Sequence, residues 1–492
     1  MLLCLLAFGT ALGQEERLIR VDDPNHPDAL ARSTEGAVLA EPPAPGVRWR
    51  YEHVPHTDGW VAEEGIAATN AEVFHDRGAT GAGVSVAVFD LQWFGAGADP
   101  SELGDVQTHD CWASSSCELP MDPWYARFSY EEGIHGYACA EVIRDMAPDV
   151  DLHLVRVNGQ TTLENAVDWA VREEIDLISM SLSFFNNSFY DGTGPISDQA
   201  SELAEGGVLM LTSAGNYAES HWRGPYIDAD QDGLMDFNGD NGLWLDYGAG
   251  DKTIYVTWNQ YAGCGLTDLS GTLRHEDGSI LGVSDDDQDV GDDHCEPLER
   301  VQGTVSESGL YKLEVSLERG SVAFLEVDVY STSGDIIDGI PEGSIADPAA
   351  SPDAIAVAAV DAVGYAVNDV ESFSSWGTSG KPEIAGPDGL TTTSYGVRGF
   401  YGTSASTPAT TALVALVMSD DPDLSAYEAY QRLELWALDD GDPTFSNPDP
   451  RWGAGKARLP LDPQELPCGR RPLIAPLLLL PFGLWCRRRG EE

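Results

Sequence analysis

The chain has 492 residues, and 27 Lys and Arg against 82 Asp and Glu leave a formal charge of −55. Only four of the cations are Lys: Lys252, Lys312, Lys381 and Lys456. With 42% hydrophobic and 9% aromatic residues it can fill a core, which excludes a disordered acidic chain. A field this negative repels nucleic acid and anionic lipid, so polyanionic partners are excluded.

In chain order, residues 1–13 read M-L-L-C-L-L-A-F-G-T-A-L-G, an apolar run ending in small residues, which predicts a secretory signal peptide. Residues 14–59 are rich in Pro, Asp and Glu, have little periodicity, and are expected to be a leader or short pro-segment. From 60 to 235 the pattern alternates: helix 68–77, strand 84–89, helix 137–146, strand 150–157, helix 163–173, then strands 175–182 and 208–212. That rhythm predicts an α/β fold, a three-layer parallel sheet with helices on both faces. Residues 236–345 carry short alternating runs between Gly/Asp turns, such as T-I-Y-V-T-W and Y-K-L-E-V-S-L. They predict an inserted antiparallel β-sandwich. The α/β pattern resumes over 346–459 with A-I-A-V-A-A-V.

Residues 460–492 form a tail, Cys-Gly, then an apolar stretch of 14 residues broken by Pro476 and Pro481, then three Arg. As a helix it would span about 21 Å, short of the roughly 30 Å hydrocarbon layer. Its order resembles the cleavable sorting tails of the myxosortase type in some Gram-negative bacteria. That implies an exported, cell-surface or secreted protein, a sorting protease as partner, and membrane contact only through the tail; the alternative is a short permanent anchor. Cysteine spacing agrees, because Cys111/Cys117 and Cys264/Cys295 suit local disulfides in an oxidising compartment, with Cys139 a buried thiol.

The chemistry centres on G-T-S-A-S-T-P from Gly402. A Ser at a helix N-terminus sits where free N–H groups favour negative charge, which suits a nucleophile whose attack creates an oxyanion. The string nearly matches the nucleophile elbow of α/β-hydrolases, but those need a His after the Ser. The last His here is His294, so that reading is excluded. The base must lie upstream. Asp90 ends a buried strand at the carboxyl edge, and His135 opens an apolar helix between glycines; His109, in T-H-D-C, is the rival.

These segments, with I-S-M-S-L-S, L-T-S-A-G-N, S-F-S-S-W-G and K-P-E-I-A-G-P in order over 60–459, resemble the subtilisin-like serine proteases (subtilases). The resemblance implies Ser404 as nucleophile, His135 as general base, Asp90 as its orienting acid and Asn216 as an oxyanion donor. It also implies that Ser181, Leu182 and Ser183 pair with extended protein or peptide substrate and that Ala214 and Gly215 wall the specificity pocket. Tyr137 and Ser183 depart from the family's usual Thr and Gly, changes expected to alter preference and not to remove activity. No organic cofactor is implied, and the expected state is a monomer. The rival reading is a catalytically silent surface binding protein that uses the sandwich.

A second pattern, D-A-D-Q-D-G-L-M-D, places Asp228, Asp230, Asp232 and Asp236 at positions 1, 3, 5 and 9 of a Ca²⁺ loop with Gly at 6. Gly239 stands where a bidentate Glu is usual, and Asp240 is the nearest substitute. The acidic run from Asp285 is expected to be a solvated hairpin loop.

Overall fold

The structure is a computed structural model that describes residues 17–21, 30–33, 48–52, 63–93, 102–121, 133–185, 188–261, 267–286, 297–378, 380–438 and 448–461. The predicted signal peptide, the Cys264/Cys295 pair, and the sorting tail beyond 461 lie outside them. Two compact units divide the chain, residues 1–60 and 61–492. In the first, strands β1 (Arg17–Val21), β2 (Leu30–Ser33) and β3 (Arg48–Glu52) form an antiparallel sheet in the order β2-β1-β3. The weak periodicity of the leader gave no sign of these strands.

The second unit is built on seven parallel strands: β4 (Ser85–Asp90), β5 (Gln107–Asp110), β6 (Asp151–Arg156), β7 (Leu177–Met180), β8 (Leu209–Ser213), β18 (Ala354–Asp361) and β19 (Ile384–Asp388). Their order is β19-β18-β8-β7-β4-β6-β5. Strand alternation divides the core, as period two requires. Val86 and Val88 face one layer, with α3 (His135–Met146), α6 (Thr403–Asp420) and α7 (Ala426–Trp436). Ala87 and Phe89 face the other, with α4 (Gln160–Arg172) and α5 (Pro195–Glu205). The helix predicted at 68–77 is instead two, α1 (Glu63–Thr69) and α2 (Ala71–His75). Asn70 breaks them in the left-handed region (φ 59°) and donates from Nδ2 to the Leu459 carbonyl at 2.8 Å.

Between β8 and β18 the chain forms two antiparallel sheets, ordered β13-β12-β15-β10-β17 and β14-β11-β16-β9, closed over one apolar core. Their strands are β9 (His221–Pro225), β10 (Leu243–Tyr247), β11 (Gly250–Trp258), β12 (Thr267–His275), β13 (Ile280–Ser284), β14 (Leu298–Val305), β15 (Gly309–Gly320), β16 (Glu326–Ser331) and β17 (Asp335–Ile336). The antiparallel region starts earlier than predicted, because β9 already pairs with β16. Its sequence, H-W-R-G-P, carries no clear alternation. A hairpin, β20 (Leu390–Thr392) and β21 (Gly396–Phe400), follows β19. Among the described residues no helix is long and apolar enough to cross a membrane.

The central helix α6 is buried almost all round and lies directly on β19. A Cβ at Gly386 would stand 2.4 Å from Thr410 Oγ1 and 2.6 Å from the Ser406 carbonyl oxygen. Glycine is therefore required for this approach, and overpacking such a contact costs about 1–3 kcal/mol. Gly386→Ala is expected to lower unfolding free energy by about that amount in denaturant titration; an unchanged midpoint would refute the contact.

Candidate active site

Strands β4, β7 and β8 are neighbours, so their carboxyl ends bring Asp90, Ser181 and Ala214–Asn216 to one edge of the sheet. Ligands in open parallel sheets bind at such edges. Asp90 has no exposed surface. Its Oδ1 accepts the N–H groups of Leu91 and Gln92 at 2.7 and 2.9 Å, and its Oδ2 lies 2.6 Å from His135 Nδ1. The indole of Trp93 donates to the Asp90 carbonyl at 2.9 Å. With Nδ1 engaged by Asp90, Nε2 of His135 has no hydrogen-bond partner among the described residues, the arrangement a general base needs.

Gly136 makes this pairing possible. A Cβ there would sit 2.9 Å from Asp90 Cβ and 3.0 Å from the Trp93 ring. The Phe400 ring packs edge-on against His135 at 5.9 Å, and Tyr395 stacks on Phe400 at 5.2 Å. Burial pushes the His135 imidazole down, but the charge and hydrogen bond of Asp90 outweigh it, and its pKa is raised above 6.5.

Ser404 is half-buried in the first turn of α6. Pro408, four residues on, lacks the N–H that would bond the Ser404 carbonyl within the helix. That carbonyl is taken up from outside instead, by Ser181 Oγ at 3.2 Å and Cys139 Sγ at 3.6 Å. Cys139 lies one turn beyond His135 on α3, and its Sγ falls within 4.8 Å of the donor atoms of Asp90 and His135. Strand end, His helix and Ser helix are thus tied together through one carbonyl. The Cys139 thiol is buried as expected, and burial raises its pKa well above the usual thiol range.

Asn216 is exposed and turned by its acceptor. Its Oδ1 takes both the backbone N–H and the hydroxyl of Thr403 at 3.0 Å, and Thr403 Oγ1 accepts from Gly215 N at 3.2 Å. Its Nδ2 has no hydrogen-bond acceptor among the described residues, and it lies 3.0 Å from the place a Cβ on Gly402 would occupy. Thr403 and Phe400 hold the site without having been singled out by sequence reasoning. Thr403 stands inside the quoted G-T-S-A-S string, but a Thr before a nucleophile says nothing of which strand end it grips.

Ala214 is fully buried. Gly215 adopts φ 103° and faces the Tyr217 ring, 2.7 Å from where its Cβ would be. Leu182 packs on the inner core, and the Ser183 hydroxyl bonds Tyr217. Tyr137 turns its ring edge toward Trp93 at 5.8 Å. The rival His109 is remote from this edge. It lies on β5, bonded to the Cys117 carbonyl and to His153, each at 3.1 Å, beside the Cys111–Cys117 disulfide.

The acidic loop lies inside the sandwich, between β9 and β10. Carboxylate oxygens of Asp228, Asp230 and Asp232 come within 4.8 Å of one another, and Gly233 makes the turn at φ 91°. Hard carboxylate oxygens at that spacing fit a Ca²⁺ ion. The other two expected ligands do not join. Asp236 accepts Ala229 N–H at 2.7 Å, and Asp240 pairs with Lys312 at 3.2 Å and the Trp244 indole at 3.0 Å. Burial first, then Asp228, Asp232 and Asp236, push the Tyr226 hydroxyl up to about 12.

The subtilase family model matches residues 332–455, the stretch that carries Ser404. Human membrane-bound transcription factor site-1 protease is 28% identical over 152 residues, 30% of this chain and 13% of that protein. Subtilisin E of Bacillus subtilis (strain 168) is 26% identical over 203 residues, 39% of this chain and 50% of that protein. The aligned part thus spans half or less of these relatives. The Clostridium perfringens CspB protease superposes with a TM-score of 0.53 at 15% identity, over 81% of this chain and 97% of that one. The fold is therefore the subtilisin-like α/β fold, and the stretch that carries Ser404 is similar in sequence to the subtilase family.

The Asp90–His135 pair carries its own test. Asp90→Asn removes the charge that outweighs burial, so the His135 pKa is expected to fall below 6.5 when its ring resonances are followed by NMR. A pKa raised by folding stabilises fully below the unfolded value and is lost as pH rises through the folded one. The wild type is therefore expected to lose this contribution on passing from mildly acidic to neutral pH, and the variant to lack that loss. An unmoved His135 titration would refute the pairing.

Proposed function

We propose that the chain is an exported serine endopeptidase that hydrolyses peptide bonds through an acyl-enzyme. The observation that carries this reading is the 2.6 Å Asp90–His135 contact at the edge where α6 presents Ser404. In it, Ser404 Oγ attacks the scissile carbonyl while His135 Nε2 takes its proton, and Asp90 holds the imidazole and offsets the charge it acquires. The same proton goes to the departing amine; water then enters by the reverse steps and releases the acid. Asn216 Nδ2 and the Ser404 backbone N–H serve the oxyanion, with the N-terminal dipole of α6 behind them. Extended protein or peptide substrate lies along Ser181–Leu182–Ser183, its side chain against Ala214 and Gly215.

Export is inferred from residues 1–13, the tail and the Cys111–Cys117 disulfide, which suits an oxidising compartment. The tail is read as the substrate of a sorting protease and the only part to meet a membrane; the body is read as a monomer without organic cofactor. Asp228, Asp230 and Asp232 would hold a structural Ca²⁺ that relieves their mutual repulsion.

A fluorophosphonate probe is expected to label the secreted protein at Ser404, and Ser404→Ala to abolish both labelling and proteolysis. Asn216→Ala is expected to lower kcat by about 10²–10³ with labelling retained at a slower rate. Proteolysis surviving Ser404→Ala would overturn the assignment. For the acidic loop, chelation is expected to lower the melting temperature, and added Ca²⁺ to restore it in a concentration-dependent way. A melting curve indifferent to both would remove calcium from the account.

A further inference from the structure

One buried acid is left unused by this chemistry. Asp388 ends β19 with no exposed surface. Its Oδ2 accepts the backbone N–H of Gly402 at 2.9 Å, and its buried Oδ1 has no hydrogen-bond partner among the described residues. Gly402 is the residue from which α6 starts, two before Ser404, at a φ of 103°. The next amide, that of Thr403, is held by Asn216 Oδ1 at 3.0 Å. Two successive N–H groups entering the helix are therefore held by two different elements, one by the end of β19 and one by the turn after β8.

The surroundings of Asp388 are mostly of its own sign. Asp361 faces it from the end of β18, Glu371 from the loop beyond, and Arg398 from β21, with the Tyr365 hydroxyl also near. Arg398 is already engaged, donating to Asp361 at 2.6 Å and to the Gly389 carbonyl at 3.3 Å. Burial, and then Glu371 and Asp361, raise the carboxyl to about 7 against the help of the Gly402 bond.

We propose that Asp388 is a positioning residue for Ser404: its carboxylate clamps the Gly402 amide, and loss of its charge loosens the turn that aims the nucleophile. The proposal rests on Ser404 being the nucleophile. A charge-assisted hydrogen bond is about twice as strong as a neutral one, so the clamp tightens as pH rises through neutrality. Stability moves the other way. An acid whose pKa rises on folding costs stability once it ionises, so the fold gives up stability between the ordinary carboxylate range and about pH 7. Tight positioning is obtained at the expense of stability, a combination a purely structural acid would not give.

The test uses the full chain, following peptide hydrolysis from acid to alkaline pH for the wild type, Asp388→Asn and Asp388→Ala, with melting temperatures at alkaline pH. The wild-type acid limb is expected to approach a two-proton slope, His135 and Asp388 both having to lose a proton. Asp388→Asn keeps the acceptor without the charge. It is expected to show a one-proton limb, roughly tenfold lower kcat at alkaline pH with KM little changed, and a higher melting temperature. Asp388→Ala, with no acceptor, is expected to lose about 10² in kcat. The proposal is overturned if Asp388→Asn keeps the wild-type kcat and slope, or if its activity and melting temperature fall together. A wild type that fluorophosphonate does not label removes the nucleophile itself, and the proposal falls with it; labelling with an unaltered variant removes Asp388 alone.

Discussion

Two helices and a strand end have to converge on one point for Asp90 to be buried with its partners, and glycine at Gly136 permits the approach. A carboxylate with no exposed surface must have its lone pairs met inside the fold. Asp90 has two amides of its own turn and one imidazole nitrogen. The imidazole reaches it only because Gly136 lets α3 come closer than any side chain would allow. Once α3 is fixed there, Cys139 is fixed one turn further on. Cys139 and Ser181 then meet the carbonyl that Pro408 leaves open on α6. The position of Ser404 is thus a consequence of packing around Asp90, and Gly386 on the far side of α6 lets the helix settle to that depth.

The positions of Asp90 at a strand end and of His135 and Ser404 at helix starts were legible from the apolar runs that follow or precede them, while the roles given to them came from the resemblance to the subtilases. The strands that deliver them were legible for the same reason, with bounds off by a residue or two where strands fray into turns. What stayed hidden was held by single contacts. Thr403, Phe400 and Asp388 each act on a neighbour distant in sequence, and no local pattern encodes that. The break at Asn70 was missed because a left-handed residue bonded to Leu459 overrides a helix-favouring stretch. In the sandwich, β9 has no alternation to read; it is a strand because β16 offers it an edge.

Asp236 and Asp240 make the same point from the acidic loop. Asp236 stands at a ligand position of the loop and Asp240 one residue past the last, yet local donors take both. A backbone amide binds Asp236, while a Lys and an indole bind Asp240. In a chain with so few cations, a carboxylate that finds Lys312 is neutralised without a metal, and one whose donors are uncharged amides is not. The case for an ion at Asp228, Asp230 and Asp232 therefore rests on carboxylate oxygens that lie within 4.8 Å of one another and that accept backbone amides and the Asn241 amide, none of which carries a neutralising charge.

The net charge of −55 takes on a different meaning from this. Several of the scarce cations are drawn toward acids in or near the core: Arg156 to Asp110, Arg223 to Asp328, Lys381 to Glu383, Arg451 to Asp449. Pairing there is required because an unpaired buried charge is far more costly than an exposed one. The excess of negative charge is thereby left to the solvated surface, where salt screens it over about 8–10 Å. An oxyanion formed at Ser404 would carry the same sign as that surface. On the proposed chemistry its stabilisation would come from donors in direct contact, Asn216 and the first turn of α6, because contact distances lie well inside the screening length. A turn held at two successive amides keeps those donors in place, so the surface charge can vary widely without reaching the chemistry.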